Sequence, residues 1–123
     1  AGKDRIVPIH HLIYPLVEKH YREAERLKSP RLFNIQTFVE GDFSFIYYEL
    51  YARQFKVVIN RLALDARHHT HDCRKTFVTI AKRANVNEYA IKRIIGHQIA
   101  DLTERVYTDR SIEWLRSEIE KIH

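Results

Sequence analysis

Apolar residues recur along most of this chain at steps of three and four, with charged residues between them. Between residues 43 and 64, Tyr47, Tyr51, Phe55, Val58 and Leu62 fall at steps of four, four, three and four. That spacing makes one apolar stripe of a long helix. A second helix is expected from Thr70 or His71 to Ala84, with Cys73, Phe77, Ile80 and Ala84 on its core face. Asn85 tolerates positive φ and suits a left-handed C-terminal cap. Asn87 suits the N-cap of the next helix, and Gly96 is the residue type most favoured just past a helix end. Asp101 can cap a further short helix. After Asp109, the residues Ile112, Leu115, Ile119 and Ile122 line one side of a C-terminal amphipathic helix.

The β signal is sparse. Ile6-Val7-Pro8-Ile9 follows a Gly-Lys-Asp turn and reads as the second arm of a hairpin, at an edge because Pro8 lacks an N–H. Residues 10–27 carry helical spacing through Leu12, Leu16 and Tyr21. Residues 28–42 contain Ser29, Pro30, Asn34 and Gly41 and read as a loop with a short strand around Arg31-Leu32-Phe33. The expected fold is mainly α with a small β-hairpin remnant. It forms one partial domain over 1–123: a hairpin arm at 1–9, a helix at 10–27, a loop with a short strand at 28–42, and a helical core from 43 onward.

Length and composition narrow the class. A chain of 123 residues fits one domain. No run approaches the ~18 apolar residues a membrane span needs, and no signal-peptide pattern opens the chain. A single cysteine forms no internal disulfide, so a cytoplasmic setting is expected. The sequence has no methionine and opens on a turn, Ala1-Gly2-Lys3-Asp4-Arg5, so a piece of a longer protein is expected. A net charge of +5 and a pI near 9.4 favour a polyanionic partner, although the same charge also serves simple solubility.

Candidate chemistry begins at His71-Asp72-Cys73-Arg74. Helix positions three apart differ by roughly 60° around the axis, so His71 and Arg74 would face the same way. The stripe of Cys73, Phe77, Ile80 and Ala84 is centred elsewhere. Arg offers a planar fork for two phosphate oxygens, and His transfers a proton near neutral pH. Taken alone, the pair fits a solvated polar flank better. Ile95-Gly96-His97 puts an imidazole at a sharp turn, where it either points into a cleft or complements the helix dipole. Tyr107, ten residues after His97, is either an aromatic anchor for the last helix or an exposed phenol. A phenol titrates near pH ~10 and is a poor nucleophile at neutral pH without a base and a site that stabilises phosphate charge. An arginine, two histidines and a tyrosine suffice for that task without a metal.

Taken together, these motifs resemble the tyrosine recombinase family, the lambda-type phage integrases. The family's second conserved box, roughly His-x-x-Arg-His-Thr-Phe-Ala-Thr, stands here as His71-Asp72-Cys73-Arg74-Lys75-Thr76-Phe77-Val78-Thr79. Its Leu-Gly-His appears as Ile95-Gly96-His97, and its terminal Tyr-Thr-His as Tyr107-Thr108-Asp109. The opening Gly2-Lys3-Asp4-Arg5-Ile6-Val7-Pro8-Ile9 is similar to the family's hairpin, Gly-Lys-x-Arg-x-Val-Pro.

The resemblance implies a catalytic-domain fold truncated at its N-terminal side. Its implied activity is site-specific DNA recombination, the integration or excision of a mobile element or prophage. Tyr107 would be the nucleophile, giving a 3′-phosphotyrosine and a free 5′-hydroxyl. Arg74 would clamp phosphate, His71 would be the general base and His97 a further phosphate donor. The ester keeps the bond energy, so no cofactor and no metal are implied. The family's first arginine lies upstream of the hairpin, outside this chain. Its general-acid lysine would fall just before Ala1, with Lys3 the nearby candidate. The isolated chain is therefore expected to be weakly active or inactive. The implied partners are double-stranded DNA and further copies of the protein, a tetramer on DNA, with Arg5, Lys75, Lys92 and Arg93 as candidate DNA contacts.

Two alternatives stay open: relaxation of DNA by type IB topoisomerase-like chemistry, and a non-catalytic helical DNA-binding module. Metal binding by His68, His69, His71 and Cys73 is disfavoured, because their spacing matches no common zinc pattern.

Overall fold

The computed structural model describes residues 4–36, 42–97 and 111–123. These are mainly helical, with one small antiparallel sheet. In chain order the elements are α1 (Tyr14–Leu27), β1 (Asn34–Gln36), β2 (Phe43–Phe45), α2 (Tyr48–Arg61), α3 (Asp72–Arg83), α4 (Glu88–Ile95) and α5 (Ile112–Ile119). The chain divides into two compact units, Ala1–Leu12 with Cys73–His123, and Ile13–Asp72.

The first unit, built on α3, α4 and α5, holds the densest core. Ala81, Val86, Ala90, Ile91, Ile95 and Leu115 are buried together, with Phe77, Val78, Ala84, Trp114 and Ile122 packed against them. Ala81 and Ala90 are fully enclosed, at 0% exposure, so α3 and α4 each contribute a small residue where space is tightest. Local chemistry sets the helix boundaries. α3 stops where Asn85 takes the left-handed conformation at φ 57°, with Val86 N–H returning to Ala81 O. The Asn87 side chain then accepts from Tyr89 N–H at 2.9 Å and starts α4. Ser111 does the same for α5 through Trp114 N–H at 3.2 Å. Glu118, buried on α5, accepts from Asn87 N–H at 2.8 Å and from Lys121 Nζ, which joins the start of α4 to the last helix. The amphipathic stripe expected after Asp109 is present: Leu115 and Ile119 are buried, Ile112 and Ile122 half-buried.

The expected core face of α3 is rotated. Cys73 and Ile80 are exposed, and the face that packs is Phe77, Val78, Ala81 and Ala84. The stripe passing through Cys73 and the one passing through Ala81 both have helical spacing, so periodicity alone does not choose between them. Burial in one cluster with Ala90 and Ile91 selects the stripe through Ala81.

Residues 4–10 carry no β pairing among the described residues, although a hairpin arm is expected there. Side chains hold this segment instead. His10 is buried; its Nδ1 accepts from Leu12 N–H at 3.1 Å, so its Nε2 carries the proton donated to Ile122 O at 2.8 Å. His11 N–H donates to Glu120 Oε1 at 2.8 Å, and His11 Nδ1 pairs with Glu120 Oε2. The His11 hydrogen bond holds the Glu120 carboxyl below its usual range.

The second unit has fewer buried residues. α1 begins with Pro15 in its first turn and ends at Lys28, left-handed at φ 54°. β1 and β2 pair through Asn34–Phe45, Ile35–Ser44 and Gln36–Phe43. The strand expected at residues 31–33 therefore lies three residues later. Residues 43–45 form its partner strand, so α2 starts at Tyr48. Arg31 caps the sheet, its guanidinium carbon 4.2 Å from the Phe45 ring centre. The expected apolar stripes of α1 and α2 are largely outward: Leu12, Leu16, Tyr21, Tyr47, Tyr51, Val58 and Leu62 are all exposed. Ala24, Leu27 and Ile59 are buried instead.

Candidate phosphate-binding site at the end of helix α4

A helix leaves its last four carbonyls without intrahelical partners. At the end of α4 all four are satisfied, in two different ways. Gly96, left-handed at φ 76°, lets the chain fold back so that Gly96 N–H donates to Arg93 O and His97 N–H to Lys92 O. The remaining carbonyls, Ile94 O and Ile95 O, each take an arginine. Arg5 Nε donates to Ile94 O at 3.0 Å, and Arg74 NH1 donates to Ile95 O. The carboxyl end of a helix carries partial negative charge, which favours cations there.

Gly96 is favoured here for two reasons. Its φ is in the region side chains avoid, and a Cβ at this position would lie 2.8 Å from Arg5 NH1 and 3.1 Å from the guanidinium carbon. The Arg5 side chain therefore lies directly on the glycine. The next residue, His97, is exposed.

Several sequence-predicted residues thus come together and others do not. Arg74, half-buried in the first turn of α3, and Ile95, which precedes the Gly96-His97 turn, are 21 residues apart and joined by a hydrogen bond. Arg5 belongs to the same end, although 89 residues separate it from Ile94. His71 is an exposed turn residue just before α3, in the unit Ile13–Asp72. Helical geometry therefore does not extend to it. Its ring stacks on His69 at 6.5 Å between centres. Lys3, Asp101, Tyr107, Thr108 and Asp109 lie outside the described residues.

The structure also sorts the basic side chains. Arg67 is paired with Asp65, whose carboxyl is held down to about 2 by that hydrogen bond. Lys56 is bound to Ala66 O at 2.7 Å and to His68 O, beside an open hollow of about 260 Å³ lined by Tyr48, Ala52, Arg53, Phe55, Lys56, His69 and Thr70. Arg93 leans over Tyr89, 6.0 Å from its ring centre. Lys75 is exposed and Lys92 half-buried. Among the described residues, neither Arg5 nor Arg74 has a carboxylate partner.

One group of metal-type ligands converges among the described residues: His10, His11 and Glu120, with ligand atoms within 4.8 Å of one another. Both His10 ring nitrogens are already engaged with backbone groups, so only His11 and Glu120 remain as donors. Two donors fall short of the three protein ligands usual at a catalytic zinc. The cluster serves as a clasp between residues 10–11 and the end of α5.

No protein-family model, curated protein or solved structure matches the chain. Among the described residues, no helix is long and apolar enough to cross a membrane.

Proposed function

We propose that this chain carries most of the catalytic residues of a tyrosine site-specific DNA recombinase, which cuts and rejoins DNA through a 3′-phosphotyrosine. The observation that carries the reading is the hydrogen bond from Arg74 to the helix end bearing Gly96 and His97. It joins two of the four motifs on which the family resemblance rests. The motifs follow one another in the family's order, and Tyr107 stands ten residues after His97.

In this reading a DNA phosphate sits against the free N–H groups of Arg74 and beside His97. Fixed cationic donors stabilise the charge that grows on the non-bridging oxygens as the phosphate becomes five-coordinate. Tyr107 Oη bonds to phosphorus, its proton passing to a base, for which His71 is the candidate. The bond to the 5′ oxygen breaks, and that oxygen leaves as a hydroxyl after taking a proton. Attack by a different 5′-hydroxyl reverses the steps and rejoins the strand to a new partner. The function therefore includes paired DNA sites and assembly of several protein copies.

The test uses the gene product that contains this chain, incubated with DNA from the borders of its own genetic element. Covalent protein–DNA adducts are isolated and their ends sequenced. The expected result is an adduct at a defined site, lost in Tyr107→Phe while DNA binding persists. An adduct that survives Tyr107→Phe places the nucleophile elsewhere. DNA binding without any adduct, unaffected by Tyr107→Phe, favours the non-catalytic module. Adducts scattered without site preference favour the topoisomerase.

A further inference from the structure

We propose that Arg5 and Arg74 together form one two-guanidinium oxyanion site at the end of α4, and that Arg5 binds the same phosphate as Arg74. The identity of the phosphate as a DNA phosphodiester rests on the recombinase reading; the site itself does not. Three observations carry it.

The two guanidiniums dock on consecutive carbonyls, Ile94 O and Ile95 O, so they are neighbours on one helix end. Each uses a single N–H for its carbonyl. The terminal amines of Arg5, and Nε with the second amine of Arg74, have no partner among the described residues. Two full positive charges docked on one helix end repel each other, and the partial charge of that end offsets only about half a unit. No carboxylate among the described residues pairs with either guanidinium. A phosphate placed between the two forks does, and each fork is shaped to bind two of its oxygens.

Gly96 supplies the third observation. Its missing Cβ leaves room for the Arg5 guanidinium to lie against the turn that precedes His97. A helix that needed only capping would be served by one side chain per carbonyl of any donor type. Here both donors are arginines, and their unused N–H groups remain available.

The test measures binding of inorganic phosphate, by its effect on melting temperature and on His97 ring resonances, and binding of a short DNA duplex across a salt series. Arg5→Gln keeps an amide N–H for Ile94 O but removes the charge, so the fold is retained, checked by melting without ligand. Phosphate affinity is expected to fall about tenfold in Arg5→Gln and in Arg74→Gln, as for loss of a charge-assisted hydrogen bond. The double variant should fall by less than the product, because both groups hold one anion. The salt dependence of duplex binding should lose about one phosphate contact. Phosphate affinity within twofold of the parent in a folded Arg5→Gln overturns the proposal. So does a strictly multiplicative double variant, which makes the two sites independent. Should phosphate binding depend on Arg5 while no Tyr107 adduct forms, the recombinase reading fails and the site stands. A normal Tyr107 adduct with phosphate affinity indifferent to Arg5 gives the reverse.

Discussion

The two units of this chain use helices of the same kind to different ends. In the first, α3, α4 and α5 meet around residues almost wholly removed from solvent: Ala81, Ala90, Ile91 and Leu115 are each 2% exposed or less. In the second, α1 and α2 carry apolar stripes of equal regularity, yet Leu16, Tyr21, Tyr51, Val58 and Leu62 are at least half exposed. Periodicity reports that a helix has an apolar face. It does not report what, within the chain, lies against that face. In the first unit residues of α3, α4 and α5 are buried together in one cluster, so the stripes are used. In the second, α2 buries only Ile59.

The sharpest way to break this contrast is to truncate one residue of an apolar stripe in each unit. Leu115→Ala should destabilise by about 2–5 kcal/mol, the usual cost of a buried leucine cavity. Val58→Ala should change stability by about 0.5 kcal/mol or less, since the side chain is exposed and alanine favours helix. Chemical denaturation of both variants checks this; comparable losses would mean that the α2 stripe is buried in solution. Next in size, Gly96→Ala should cost about 1–2 kcal/mol from its positive φ alone. It should also displace Arg5, so phosphate binding falls more than in a variant of equal stability made elsewhere, such as Asn87→Ala. That cap substitution should cost about 1 kcal/mol and leave phosphate affinity unchanged.

The smallest expected effects are those of acid, and they separate the units again. Asp65, with its carboxyl depressed to about 2 by Arg67, contributes stability that is present above its ordinary value near 4 and lost as pH falls toward 2. Glu120, depressed by His11, behaves with the same sign in the first unit, its contribution fading as pH falls through the lowered value. Both pairs are at the surface, so each contribution is small and weakens with salt. Acid titration of Asp65→Asn and Glu120→Gln, followed by amide exchange, should place the first loss in residues 63–69 and the second around residues 10–11 and 118–122.

Much of α3, α4 and α5 was legible because their signals are local. Asn85, Asn87, Gly96 and the stripe Ile112, Leu115, Ile119 act through their own backbone or their own helix. The strand position at 31–33 was not, because a strand is defined by its partner. The phase of α3 was also beyond reach: Cys73 and Ala81 both lie on helical stripes, and packing against α4 chose Ala81.

The sequence by itself determined the helices of the first unit, their caps, and the order of Arg74, Gly96, His97 and Tyr107 along the chain. Only the tertiary structure decided that Arg5 and Arg74 share one helix end, that His10 and His11 clasp α5, and which basic residues are already engaged. Residues far apart in the chain are brought together by packing, and periodicity carries no information about that separation. Gly96 links the two levels. Its local role as a helix terminator is readable from the chain, while its role as the seat of Arg5 depends on a side chain 91 positions earlier in the sequence.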